Sequence, residues 1–192
     1  MSEASLTTYP NTPPLPAELN PAPVLLTGAT GFIGRCIQRQ LLDTGTPIRA
    51  VVRPGSRQLN ALDPRCERVQ CSLDDAASLA EASGQVSAVV YCAGSVRGRT
   101  LDDFLPANVE GVRSVVNALQ TIGSSAPILL ISSLAASRPE LSSYARSKYL
   151  GEMVLRELGS SRRSASVPTK CRSCVSASGR SGRSRSQAMA SR

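Results

Sequence analysis

Residues Val24-Leu25-Leu26-Thr27-Gly28-Ala29-Thr30-Gly31-Phe32-Ile33-Gly34-Arg35 decide how this chain is read. The apolar opening predicts a short strand, the glycines a turn, and Phe32–Leu42 a helix with Ile33, Ile37 and Leu41 on one face. Gly28, Gly31 and Gly34 stand three apart, giving G-x-x-G-x-x-G rather than G-x-G-x-x-G. Both spacings serve the same needs: a tight strand-to-helix turn, close approach of backbone to a pyrophosphate, and close packing of helix on sheet. The N–H groups and positive dipole end of the new helix then suit phosphate. Glycines also punctuate ordinary loops, but the strand before and the helix after favour a dinucleotide-binding turn.

The alternation begun here continues. Ile48–Val52, Cys66–Cys71, Val86–Cys92 and Ile128–Ile131 read as further strands. Between and after them, helices are expected from Asp74 to Ala82, from Asp102 or Asp103 through Val109, Val112, Val116 and Leu119, and from Ser142 to Leu158. Strands each followed by a helix predict an α/β fold: a Rossmann-like, doubly wound parallel sheet of five strands in the order 3-2-1-4-5. Its ligand would sit beyond the C-terminal ends of strands one and four.

The 192 residues suffice for one domain with a real core, and the 41% hydrophobic content is that of a globular protein. No apolar run approaches the ~20 residues of a membrane helix. Residues 1–23 carry six prolines and lack a basic start followed by an apolar core, so a disordered leader is expected rather than a secretory signal. Cys36, Cys66, Cys71 and Cys92 follow no scaffold spacing and read as reduced thiols of a cytoplasmic protein. With no histidine, histidine-based triads and the usual zinc sites fall away, and no metal is expected.

The formal net charge of +8 belongs to one end. Residues 1–158 hold 14 Lys/Arg and 14 Asp/Glu, while residues 159–192 hold the other eight basic residues and no acid. Residues 1–158 therefore balance to zero, and nucleic acid is not an expected partner. From Gly159 the chain has eleven serines, seven arginines and no Leu, Ile, Phe, Tyr or Trp, so a disordered basic tail is expected. It reads either as a genuine tail or, as favoured, as sequence that has left its reading frame where a sixth strand belongs. Cys171-x-x-Cys174 is half a metal site without a second half, and Arg180–Ser186 is a weak nucleic-acid signal.

The second informative stretch is Tyr144-Ala145-Arg146-Ser147-Lys148. Tyrosine and lysine four apart share a helix face, where the ammonium lowers the phenol's pKa and prepares it for proton transfer. Ser132-Ser133 ends strand five and delivers a hydroxyl to the same edge.

Together with Tyr91-Cys92-Ala93-Gly94, Asn108-Val109-Glu110-Gly111, Ile131-Ser132-Ser133 and Gly151-Glu152, these motifs resemble the short-chain dehydrogenase/reductase superfamily. The likeness is to its extended or atypical branch of NAD(P)-dependent epimerases, dehydratases and 3β-hydroxysteroid-type dehydrogenases, and it covers about residues 24–158. It implies an oxidoreductase or epimerase/dehydratase acting on a hydroxyl or carbonyl of a sugar nucleotide, a steroid-like molecule or another small substrate. Tyr144 would be the general acid/base, Lys148 its pKa-lowering partner and ribose ligand, and Ser133 the group that orients the substrate oxygen. Asn108 would be a proton-relay residue or, equally, a brace for strand four. Thr27, Gly28, Thr30, Gly31, Phe32, Ile33, Gly34, Arg35, Arg53, Ala93, Gly94, Tyr144 and Lys148 would line the dinucleotide.

Where NAD-preferring relatives place an acid after strand two, this chain has Arg53, with Arg35 and Arg57 nearby. Guanidinium groups match a 2′-phosphate, so NADP(H) is expected over NAD(H). The adenine-contacting Asp after strand three is replaced by Ser72. The part of such enzymes that shapes the substrate pocket follows the Tyr/Lys helix and is not recognisable here, which places activity in question. Alternatives are a non-enzymatic NADP(H) sensor and an interaction protein working through its basic tail; a homodimer is left open.

Overall fold

The computed structural model describes residues 21–159 and, for the backbone alone, 164–168. The leader over residues 1–20, Cys171-x-x-Cys174 and the Arg180–Ser186 run lie outside the described residues. Six parallel strands form one sheet: β1 (Val24–Thr27), β2 (Ile48–Val52), β3 (Glu67–Gln70), β4 (Ala88–Tyr91), β5 (Ile128–Ser132) and β6 (Ser164–Pro168). Their order is β3-β2-β1-β4-β5-β6. Four α-helices join them: α1 (Phe32–Asp43), α2 (Ala76–Ala82), α3 (Gly111–Thr121) and α4 (Ser143–Leu158).

The central strand β1 pairs with β2 on one side (Val24 opposite Ile48) and β4 on the other (Val24 opposite Ala88). Alternate residues of each strand feed opposite layers, as the two-residue period of a strand requires. Leu25, Val51, Val89 and Tyr91 pack into the larger core with Leu79 of α2, Val112, Val115, Val116 and Leu119 of α3, and Val154 and Leu155 of α4. Val24, Leu26, Ile48, Ala50 and Val90 face the other way, against Ile37 and Leu41 of α1. Both faces are thus covered, which explains why the strands read as continuous apolar runs. α1 leaves β1 toward one layer and α3 follows β4 in the other, so a crevice opens at their C-terminal ends.

The order of the first five strands is the one the sequence predicts. A sixth strand extends these five within the stretch where the sequence reading expects a disordered tail. Ser164–Pro168 pairs in parallel with β5, from Ile128 opposite Ser164 to Ser132 opposite Pro168. A sheet edge offers unpaired N–H and C=O groups to any backbone that reaches it, so a serine-rich segment needs no large side chains to pair there. Pro168, at the last position of an outer strand, is where a residue without an N–H is tolerated.

The helix expected from Asp102 or Asp103 also begins later. Asp103 accepts hydrogen bonds from Arg99 N (2.8 Å) and Thr100 N (2.9 Å), closing the loop rather than capping a helix. Helical winding proper starts with one wide π turn at Pro106–Glu110 and continues as α3. α2 starts two residues later than expected, with Asp75 as its N-cap accepting from Ser78 N at 3.1 Å.

Candidate active site

The glycine-rich turn is built from contacts only glycine allows. Gly28 has φ +67°, and a Cβ there would lie 2.6 Å from Ala93 N and 2.7 Å from the Cys92 carbonyl. That is how closely the exits of β1 and β4 approach. A Cβ on Gly34 would collide with the carbonyls of Gly28 and Ala29, so α1 packs directly on the turn. Gly31 N donates to Gly28 O (3.1 Å), and Arg35 N to Gly31 O (3.0 Å), which starts the helix. Gly31, the N-cap, is extended and supplies no side-chain cap to α1, leaving the first-turn N–H groups for an anion. The narrow cradle and the uncapped helix end fit a dinucleotide pyrophosphate.

Thr27 serves the turn from below. Its buried hydroxyl accepts from Cys92 N and Ala93 N, both at 3.1 Å, pinning β4's exit to β1. Around the turn Thr30 and Ile33 are half-buried, whereas Phe32 is 66% exposed. Arg35, Arg53 and Arg57 are exposed and form no ion pair among the described residues.

Tyr144 and Lys148 lie in the first two turns of α4, whose N-cap Ser142 accepts from Ala145 N at 3.0 Å. Lys148 is buried, and its ammonium donates to Ile131 O of β5 at 2.8 Å. A Cβ on Gly94 would lie 4.0 Å from Lys148 Nζ, so the ammonium also sits against the exit of β4. Burial pulls the Lys148 pKa below its ordinary value, opposed by the Glu152 carboxylate and, once ionised, by the Cys92 thiolate. Burial likewise pushes the Cys92 thiol up to about 11 against the pull of Lys148, so this cysteine is an unreactive thiol at neutral pH. Tyr144 is half-buried and meets Phe104 edge-to-face, with ring centroids 5.8 Å apart.

The two serines are sorted by their partners. Ser132 is buried and donates to Glu152 Oε1 at 2.5 Å. Ser133 is half-buried, accepts from Ala135 N at 3.2 Å, and has no acceptor for its own proton among the described residues.

Asn108 resolves toward bracing. Its Oδ1 accepts from Ser95 N (3.0 Å), and its Nδ2 donates to Ser95 O (3.0 Å) and Ser147 Oγ (2.9 Å). The amide thus links the segment after β4 to α4. The π turn makes it reach: Tyr91 Oη donates to Ala107 O at 2.7 Å, and Gly151 lets α4 approach so near that a Cβ would strike Asn108 O. Tyr91, Ser147 and Glu152 stand within motifs that the sequence reading quotes, but it gives none of the three a role of its own.

The fold and this site define a Rossmann-like dinucleotide-binding domain. The pattern of the family described as NAD(P)H-binding matches residues 28–163, and the chain belongs to that family, within the short-chain dehydrogenase/reductase and epimerase/dehydratase group. It is 36% identical over 133 residues to ceramide reductase of Caulobacter vibrioides, covering 69% of this chain and 41% of that protein. A short-chain dehydrogenase/reductase superfamily protein from Agrobacterium tumefaciens, solved with bound NAD, is 25% identical with a TM-score of 0.59 over 76% of this chain and 47% of that one. A putative epimerase from Burkholderia cenocepacia shares the fold at 23% identity and a TM-score of 0.65, over 77% of this chain and 53% of that one. The chain therefore spans about half the length of the relatives it matches. Among the described residues no helix is long and apolar enough to cross a membrane.

Proposed function

We propose that this chain carries the dinucleotide-binding and proton-transfer half of a carbonyl reductase or dehydrogenase, with Tyr144, Lys148 and Ser133 as its working side chains. The observation that carries the reading is the buried Lys148, one helical turn from Tyr144 and held by Ile131 O between the exits of β4 and β5. An ammonium costs free energy to bury, and this one lies on α4 one helical turn from Tyr144. Tyr144 gives a proton to, or takes it from, the substrate oxygen; Lys148 holds the nicotinamide ribose beside it; Ser133 donates to the oxygen on which charge develops. A nicotinamide, when bound, supplies or accepts the hydride. Arg53 and Arg35, exposed around the turn, would receive a 2′-phosphate and favour NADP(H).

The substrate side is apolar. Val96 is 73% exposed, Leu134 51% and Leu141 69%, in the segments that follow β4, follow β5 and precede α4. A ketone or aldehyde on a mainly apolar body suits them better than a sugar nucleotide, in keeping with the ceramide reductase likeness. NADPH oxidation against a panel of long-chain, aromatic, steroid and sugar-nucleotide carbonyls tests this. Turnover on an apolar carbonyl that Tyr144→Phe abolishes, with NADPH binding kept, supports the reading. Binding without turnover of any carbonyl favours the sensor instead.

A further inference from the structure

Gln38 lies on the core-facing side of α1, one turn past Gly34, and is 2% exposed. Such a position normally holds an aliphatic side chain, because an amide must find partners for all its polar groups when buried. Gln38 finds them in two separate places. Its Nε2 donates to Ala29 O at 2.5 Å, inside the glycine-rich turn, and lies 3.5 Å from Ala61 O. Its Oε1 accepts from Asp63 N at 2.9 Å and from the buried Cys66 thiol at 3.6 Å. The orientation is fixed by these partners, since a flipped amide would set oxygen against Ala29 O and N–H against Asp63 N.

Ala61, Asp63 and Cys66 belong to the connection between β2 and β3, which opens with Arg53 and contains Arg57. Apart from its links to Gln38, the hydrogen bonds of this connection are turns within itself: Ser56 N to Arg53 O, Ala61 N to Gln58 O, Leu62 N to Leu59 O, and Cys66 N to Asp63 O. Arg65 likewise pairs with its neighbour Asp63. Beside the packing of Leu62 and Cys66 on the core under α1, this one side chain supplies the hydrogen bonds that tie the segment bearing the guanidinium groups to the turn that cradles the pyrophosphate.

We infer that Gln38 is a positioning residue for cofactor choice: it sets the distance between the pyrophosphate turn and the Arg53–Arg57 segment, and so the discrimination between NADPH and NADH. The inference rests on the proposed reading of Arg53 as a 2′-phosphate ligand. Loss of the latch frees the segment but leaves the turn's own backbone contacts, so the 2′-phosphate end of the ligand suffers more than the rest.

The test is equilibrium binding of NADPH and NADH to the wild-type chain, Gln38→Met and Asp63→Pro. Methionine keeps the length and apolar stem of Gln38 but none of its hydrogen bonds. Asp63→Pro deletes the N–H that donates to Gln38 Oε1 from the far side, and Leu62, extended at φ −87° and ψ 128°, suits a residue before proline. It answers the question if Gln38→Met does not fold. The expected result is an NADPH preference in the wild type that falls about fivefold or more in either variant, through weaker NADPH binding with NADH nearly unchanged. A ratio that stays constant while both affinities or the melting temperature fall makes Gln38 merely structural and overturns the inference. A wild type that binds both alike overturns it too, and one that binds neither overturns the dinucleotide reading itself.

Discussion

Ser132, the last residue of β5, donates its hydroxyl proton to Glu152 of α4 across 2.5 Å. The contact joins the strand that Ser133 follows to the helix that carries Tyr144 and Lys148, so it ties together the elements that bear all three side chains. Glu152 also bonds Arg156 one turn on, at 3.4 Å, and its charge raises the pKa of Lys148 against the effect of burial. Glu152→Gln removes that charge, so Lys148 loses its proton at lower pH than in the wild type. The alkaline limb of the activity profile is expected to move to lower pH, with a stability loss of about 1–2 kcal/mol from the weakened hydrogen bond. An unchanged limb in a folded variant would show that Lys148 is not the group titrating there.

Lys148 makes a second prediction, on stability alone. Its pKa in the fold lies below the ordinary 10.5, chiefly through burial, so between the two values the unfolded chain binds more protons than the native one. Stability then rises with pH through that window and is lower once both states are protonated. Lys148→Met removes the rise. Melting temperatures measured from pH 7 to 10.5 should climb for the wild type relative to Lys148→Met, and parallel curves would contradict the assigned burial cost.

Much of this was legible in the residues. Val24–Arg35 gave strand, turn and helix because the apolar run, the glycine spacing and the helical period agreed with one another. Tyr144 and Lys148 were legible because a four-residue spacing is itself a geometric statement. β6 was not, because its pairing rests on backbone groups that composition does not record. Gln38, Ser147 and Glu152 were not, because a polar residue on a helix reads as solvent-facing until its tertiary partners are known. Asn108 stood between two roles for the same reason, since its three partners are not written in the sequence.

That bracing role is measurable. Asn108→Leu leaves Ser95 N, Ser95 O and Ser147 Oγ without their shared partner in a buried setting, at an expected cost of about 2–4 kcal/mol in urea denaturation. In a double-mutant cycle with Ser147→Ala, the two substitutions should couple by about 1 kcal/mol, since they remove one common hydrogen bond. Additive effects would mean that the Asn108–Ser147 contact contributes nothing of its own.

The glycine turn offers the sharpest contrast between two substitutions of identical chemistry. Gly34→Ala places a methyl group against the carbonyls of Gly28 and Ala29, backbone atoms that cannot swing aside. α1 must then lift from the turn, which opens the cradle and weakens dinucleotide binding by tenfold or more, with a stability loss on the order of 2–4 kcal/mol. Gly45→Ala, just beyond the other end of the same helix, meets no atom within 4 Å but sits at φ +75°. Its cost is backbone strain alone, about 1–2 kcal/mol, and dinucleotide affinity should stay within twofold of wild type. Titration with NADPH alongside thermal melting separates the two effects, and equal losses of affinity in both variants would mean that Gly34 matters only for helix stability and not for the shape of the turn.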